Sequence, residues 1–267
     1  MPKQSAHAYT MALLKDKQLK AKKHFGQNFI IDPSTVKKIA EVSESHGKSV
    51  IEVGPGLGAL TEQLSLIAKD VTAFEIDQDV LSHLSQLFEN TNVSIVHQDF
   101  LTVNNEDFSA THLVGNLPYY ITTPILFHVL EDLPQIEMMT IMVQKEVADR
   151  FSASVNTKDY NALSIILNTL CEVKWAMKVS PHVFVPKPNV DSAVVTLKRR
   201  AGVNAKDLED YFKFVKKAFT QRRKTLSNNL KDYPNLGLVL QEMKLSPSIR
   251  AEALTRDQFE ELYRRLS

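Results

Sequence analysis

From about residue 33 to residue 145, short β-branched runs alternate with stretches whose apolar residues recur every three to four positions. Ser49–Gly54, Val71–Ile76, Val93–His97, His112–Leu117 and Met138–Gln144 read as strands. Pro33–Ser45, Leu57–Ala68, Asp79 to about Phe88, and Thr123–Leu130 read as helices. Asp32 serves as N-cap of the first helix with Pro33 in its opening turn, and Leu60, Leu64 and Ile67 mark one face of the second. Strands joined by helical crossovers of this length predict a parallel sheet covered on both faces.

After Gln144 come two helices, the second over Tyr160–Leu170. The strands Glu172–Val179 and Asp191–Lys198 then flank an extended loop, Val183–Pro188. No helix separates these two strands, so they predict an antiparallel pair at one edge of the sheet. Past Gly202 the strand pattern ends. Helical periods run on to Ser267, with breaks expected near Pro234, Gly237 and Pro247. The expected organisation is an α/β domain over residues 1–202 and a small all-helical domain over 203–267.

Composition narrows this little. The 267 residues are 43% hydrophobic and 24% charged, ordinary for a globular chain with ample core. One cysteine, Cys171, excludes a disulfide framework and a cysteine-rich metal site, and no metal is expected. The amino-terminal lysines are not followed by a continuous apolar segment, and no run has bilayer length. A cytoplasmic setting without membrane association is therefore expected. The net charge of +1 conceals an uneven distribution: positive residues gather at Lys15–Lys23 and between Tyr211 and Lys231, and the second stretch contains no acid.

Candidate chemistry lies at strand ends. Glu52-Val53-Gly54-Pro55-Gly56-Leu57-Gly58-Ala59 follows a strand and opens a helix, where glycines allow a tight turn and close approach of a ligand to the backbone. Glu75 ends the next strand, placed to accept from ribose hydroxyls. Together they point to a nucleoside-containing cofactor and leave NAD and S-adenosylmethionine both open. Asp99, at the same sheet edge, could accept from an adenine amino group, with Phe100 beside it. Asn116-Leu117-Pro118-Tyr119-Tyr120 closes a further strand with an amide, a rigid proline and an aromatic ring, a set suited to chemistry on an exocyclic amine.

Taken with the glycine loop, Asn116-Leu117-Pro118-Tyr119 resembles the catalytic tetrad of amino-directed methyltransferases. Lys23-His24-Phe25-Gly26-Gln27-Asn28-Phe29-Ile30 resembles the amino-terminal motif of ribosomal RNA adenine dimethyltransferases. Gln144–Arg150, Asn156–Tyr160, Val190–Val194 and Gln221–Thr225 are similarly placed. Phe184-Val185-Pro186-Lys187-Pro188, Ile249–Leu254 and Asp257–Leu262 look like the small-subunit branch of that family rather than the erythromycin-resistance branch, which acts on large-subunit rRNA. Tyr120 stands where many relatives carry Asn.

The resemblance implies a Rossmann-like class I methyltransferase sheet, mostly parallel with an antiparallel edge strand. It implies S-adenosylmethionine as methyl donor, S-adenosylhomocysteine as product, and N6,N6-dimethylation of two adjacent adenosines near the 3′ end of small-subunit rRNA within an immature subunit. It also implies cofactor contacts from Asn28, Ile30, Gly54, Gly56, Glu75, Asp99 and Asn116. Asn116, Leu117, Pro118 and Tyr119 would act on the base, with Phe184 covering its other face. Arg222, Arg223 and Lys224 would bind RNA, with Lys22, Lys23 and Arg150 extending the footprint. A monomer is the expectation. The competing readings are a resistance-type large-subunit methyltransferase and an assembly factor that keeps the fold without catalysis.

Overall fold

The computed structural model describes Lys22 and residues 27–267. Its strands are β1 (Phe29–Ile30), β2 (Ser49–Val53), β3 (Asp70–Glu75), β4 (Val93–His97), β5 (His112–Asn116), β6 (Met138–Gln144), β7 (Cys171–Val179), β8 (Phe184–Val185) and β9 (Ser192–Arg199). Seven of them form one sheet in the order β4-β3-β2-β5-β6-β9-β7. The neighbours from β4 to β6 are parallel, and β9 runs antiparallel to β6. The mostly parallel sheet expected from the alternating pattern is therefore present. Within the late pair the order is reversed relative to the chain: β9 lies inside, and β7 holds the edge.

Local sequence explains the helices between the strands. Asp32 accepts from the Thr35 amide at 2.8 Å and caps Pro33–Val42, whose Pro33 occupies the first turn, where it displaces no helical hydrogen bond. Asp77 caps Gln78–Leu87 by accepting from Asp79 N. Val50, Leu64, Val71, Val114 and Met142 pack with Val36, Ile39 and Ala40 of the first helix, all nearly without solvent contact, and Ile51 and Leu113 are equally buried. Their burial is the main favourable term in assembling the sheet. The helix Thr122–Asp132 ends under Arg199, whose guanidinium donates to the carbonyls of Val129, Leu130, Leu133 and Ile136. A cation on the final carbonyls of a helix satisfies groups that would otherwise be orphaned and complements the helix dipole.

A second small sheet pairs β1 with β8, Phe29 opposite Val185 and Ile30 opposite Phe184. Two-residue strands carry no periodicity, which is why the sequence pattern shows neither strand and reads Val183–Pro188 as an extended loop.

Two compact units emerge: residues up to Ala148 with Lys174–Arg199, and Asp149–Val173 with Arg200–Ser267. The second therefore takes in a stretch that precedes the linear boundary expected at residue 202. The reason is visible in its contacts. Tyr160 is buried and donates from its hydroxyl to Leu254 O at 2.8 Å, its ring meets Phe219 edge-on, and Arg222 donates to Thr157 O. This unit contains the helices Ala162–Leu170, Glu209–Ala218, Leu226–Asn229, Leu236–Glu242 and Arg256–Leu266. Gly237 sits inside the first turn of Leu236–Glu242 and does not break it. Among the described residues, no helix is long and apolar enough to cross a membrane, and no group of His, Cys, Asp and Glu could hold a metal.

Candidate active site

The carboxyl ends of β2, β3 and β5 open onto a cavity of about 250 Å³ within the first unit. Open parallel sheets bind ligands at this edge because crossover loops diverge there. The loop after β2 turns on Gly54, Gly56 and Gly58, all with positive φ. At Gly54 a Cβ would meet nothing within 4 Å, so glycine is required there by conformation (φ +71°) and not by crowding. Gly115 is the opposite case. Its φ is ordinary, but a Cβ would lie 2.8 Å from Val53 O, so β5 can approach β2 this closely only without a side chain.

Three carboxylates line the cavity. Glu75, nearly buried at the end of β3, accepts from the amides of Ile76 (2.9 Å), Asp77 (2.8 Å) and Gly56 (3.2 Å). Burial raises its pKa, and these backbone donors offset part of that rise. Two carboxylate oxygens offer about four acceptor sites, so Glu75 retains capacity for a ligand hydroxyl. Asp99 is exposed and caps a short 3-10 turn by accepting from Leu101 N at 3.0 Å.

Glu52 had drawn no role from the sequence. It lies in β2, 1% exposed, and its Oε2 is buried without a hydrogen-bond partner among the described residues. Burial pushes its pKa up to about 8, opposed in part by the nearby Thr61 hydroxyl and augmented by the Glu75 charge. A lone acid in an otherwise apolar strand before a glycine loop was the available signal. Buried polar groups are rarely left unpaired, and this one lines the cavity.

Asn116 closes β5. Its Nδ2 donates to Asn28 O at 3.0 Å, and because that carbonyl can only accept, the amide's orientation is determined. Oδ1 is left as an acceptor with no protein partner among the described residues. The next two carbonyls differ. Pro118 O receives Ile121 N (3.1 Å) and Thr122 Oγ1 (3.2 Å), whereas Leu117 O has no partner among the described residues. The site thus presents two adjacent acceptors, Asn116 Oδ1 and Leu117 O. The Tyr119 ring is held by its hydroxyl, 2.9 Å from Ser192 Oγ at the start of β9. Ser192 is fully buried and is a second residue whose role the sequence concealed, since its partner lies 73 residues away.

Asn28, Ile30, Gly54, Gly56, Glu75, Asp99, Asn116, Leu117, Pro118 and Tyr119 all line this one cavity. Tyr120 joins them and is 60% exposed. Phe184 does not. It is 2% exposed and packs in the core with Ile30, Val36, Met142 and Val194, because pairing with β1 turns it inward.

The expected RNA contacts also divide. Lys23 lies outside the described residues. Lys22 Nζ is 2.6 Å from both Asp77 Oδ1 and Asp79 Oδ2. In the second unit Arg222 pairs with Glu252 at 2.9 Å and donates to Thr157 O. Arg223 and Lys224 are exposed and form no ion pair among the described residues, and Arg150 is exposed. The acid-free stretch is also less positive in space than in sequence, since Lys213 pairs with Glu209 and Asp210 and Lys217 with Asp232.

Residues 18–267 match the profile of a family described as ribosomal RNA adenine dimethylase. Similar curated proteins include the "Ribosomal RNA small subunit methyltransferase A" of Streptococcus sanguinis, 42% identical over 95% of this chain and 94% of that protein. The protein of the same description from Bacillus cytotoxicus is 44% identical, over 89% and 88%. Among solved structures, the 23S rRNA methyltransferase ErmE aligns with a TM-score of 0.74 and 32% identity, covering 90% of this chain and 99% of that one. A dimethyladenosine transferase from Plasmodium falciparum aligns at TM-score 0.76 over 89% and 96%, a likeness of fold at 24% identity. The family profile runs through both compact units and takes in every element around the cavity. The chain belongs to the ribosomal RNA adenine dimethylase family.

Proposed function

We propose that this protein transfers methyl groups from S-adenosylmethionine to the exocyclic amines of two adjacent adenosines near the 3′ end of small-subunit rRNA, within an immature subunit. The observation that carries this reading is the pair of acceptors without a partner among the described residues, Asn116 Oδ1 and Leu117 O, on residues that line a cavity suited to a nucleoside. The relatives described as small-subunit methyltransferases, at 42% and 44% identity, favour that substrate over the large-subunit rRNA of the 32%-identical structure.

The cavity fits the proposed donor on its own chemistry. Glu52 Oε2 is a buried acceptor awaiting a cation, such as the donor's ammonium. Glu75 has acceptor capacity for ribose hydroxyls, and Asp99, beside Leu101 and Ile76, suits an adenine ring with its amino group. S-adenosylmethionine supplies an activated methyl group and leaves as a neutral thioether, so no group is required here to stabilise a leaving anion. The protein's task is the nucleophile, whose lone pair is delocalised into the purine. Accepting both amine N–H bonds, Asn116 Oδ1 and Leu117 O favour the pyramidal amine and fix the direction of its lone pair. These contacts are better matched to the transition state than to the planar ground state. An amide and a carbonyl accept without ionising, so no titrating base is needed in the transfer; the methylated amine, cationic once the C–N bond has formed, then gives its surplus proton to water.

The Tyr119 ring is assigned to stacking on the extruded base, which offsets the unstacking cost. Tyr119→Ala is expected to raise the RNA KM about 5- to 150-fold, the equivalent of about 1–3 kcal/mol of stacking. Tyr119→Phe, which keeps the ring, should stay within about threefold; equal losses in steady-state kinetics would make the hydroxyl the important group.

For RNA, we assign phosphate contact to Arg223 and Lys224, whose charges are uncommitted, and an internal tie to Arg222. Replacing Arg223 and Lys224 together with alanine should reduce the slope of log affinity against log salt by roughly one to two. Arg222→Ala should instead lower the melting temperature. An unchanged slope in the double variant would put the phosphate contacts elsewhere. The overall reading is tested by mass spectrometry of rRNA digests after incubating unmethylated ribosomal subunits with the protein and isotopically labelled donor. Labelled dimethyladenosine in small-subunit rRNA is expected; label confined to large-subunit rRNA, or none above an Asn116→Ala control, would overturn it.

A further inference from the structure

We propose that Lys22, acting with Gln27 and Asp77, is a latch that positions the amino-terminal wall of the cavity, and so serves methyl-donor binding and not RNA binding. The inference rests on the cavity being the donor site, as proposed above. Lys22 Nζ donates to Asp77 Oδ1, and Gln27 Nε2 donates to Asp77 Oδ2 at 2.7 Å. The Lys22 backbone amide donates to Gln27 Oε1 at 2.8 Å, joining the two donors to each other. Asp79, exposed two residues on, supplies the second carboxylate to Lys22 at 2.6 Å.

Asp77 is the centre of this arrangement. Its side chain is 2% exposed, where an ionised carboxylate is costly unless fully hydrogen-bonded. Burial works to raise its pKa, but the bonds from Lys22 and Gln27, with that from Asp79 N, carry it below the ordinary value. The Asp77 amide in turn donates to Glu75 Oε1. One short chain of contacts therefore runs from Lys22 through Asp77 to Glu75, the residue assigned to the donor's ribose.

The other end of the latch is the wall itself. Gln27, Asn28, Phe29 and Ile30 all line the cavity. Phe29 packs with Leu57, Val80, Leu84 and Phe88, and Asn28 O receives the Asn116 amide. Gln27 is thus held to the β3 turn on one side and leads directly into the carbonyl that orients Asn116 on the other. Loss of the Lys22 cation would leave Asp77 charged and underpartnered two residues from Glu75, whose own pKa the Asp77 charge raises.

The test compares Lys22→Ala, Lys22→Arg and the wild type by calorimetric titration with S-adenosylmethionine and by rRNA binding across a salt series. Lys22→Ala should weaken donor binding about tenfold and raise the donor KM equally. At saturating donor, kcat should stay within about twofold and the rRNA salt slope should be unchanged. Lys22→Arg should recover most of the loss. A salt slope lowered by about one with donor affinity intact would overturn the latch and make Lys22 a phosphate contact. Should Lys22→Ala fail to fold, the milder Asp79→Asn removes one of the two carboxylates and should weaken donor binding about two- to threefold; no change would also overturn the proposal. In an Asp77→Asn background the Lys22→Ala effect should shrink below about threefold, and a full tenfold loss there would refute the coupling. A wild type that bound rRNA but not S-adenosylmethionine would refute the donor site itself, an outcome distinct from any of these.

Discussion

Asn116→Ala is expected to lower single-turnover methyl transfer by about 10²- to 10³-fold, the scale on which one transition-state acceptor or donor contributes in a preorganised site. The loss has two sources. Alanine removes Oδ1, one of the two acceptors for the target amine, and it also releases Asn28 O from the Asn116 Nδ2 donor. Asn116→Asp separates them: it retains an acceptor oxygen but cannot donate to Asn28 O, and it sets a negative charge against that carbonyl. We expect the aspartate variant to lose activity and to weaken donor binding, because the wall carrying Asn28 is disturbed. Rapid-quench measurement at saturating RNA and donor reads the chemical step. A loss below about fivefold in the alanine variant would show that Leu117 O alone shapes the amine, and the assignment to Asn116 would fall.

The second large effect concerns pH. The folded free protein holds the Glu52 proton up to a pKa of about 8, whereas the unfolded chain releases it near 4.5. Between those values the folded state binds more protons than the unfolded state, so stability falls as pH rises. The contribution approaches about 1.4 kcal/mol per pH unit inside the window. Glu75, also raised by burial, adds in the same direction. Glu52→Gln removes the larger share, so the variant should melt higher than wild type at pH 8 and converge with it at pH 4. Parallel melting curves for the two proteins across this range would show that Glu52 is ionised in the free fold. Pairing with a cationic donor reverses the sense: binding at pH 7 should release close to one proton from wild type and far less from Glu52→Gln. Calorimetry in buffers of differing ionisation enthalpy measures that release directly.

The alternating pattern of strands and helices made most of the first unit legible, because β2, β5 and β6 are apolar enough to be buried on both faces and the crossovers from β2 to β3, β3 to β4 and β5 to β6 carry a clear helical period. The glycine loop, Glu75, Asp99 and Asn116 were legible for a related reason: each terminates a recognisable strand, and strand ends are where such sheets bind ligands. Contacts made at long range were not. Nothing near Tyr119 announces Ser192, nothing near Lys22 announces Asp77, and Phe184 looks in sequence like any exposed loop aromatic until its pairing with Ile30 turns it into the core. Charge was the most misleading signal, since the acids that neutralise Lys213, Lys217 and Arg222 lie outside the basic stretch. The grouping of Asp149–Val173 with the helical tail was hidden for the same reason. It rests on contacts such as Tyr160 to Leu254, 94 residues apart.

The position of β9 has a consequence for synthesis. As the chain is made, β6 emerges complete with Met138–Val143 uncharged and buried in the finished sheet, yet its outer neighbour in the ladder is β9, which begins only at Ser192. Until then a growing chain presents an unpaired, uncharged strand edge, the kind of surface that templates association with other chains. The later strand then has to insert between β6 and β7, a non-local pairing that forms slowly. Ser192 arrives with it and anchors Tyr119, so the strand that closes this aggregation-prone edge also holds the ring proposed to stack on the base. The exposed edge and the unanchored Tyr119 ring therefore last over the same interval of synthesis, and both end with one strand insertion.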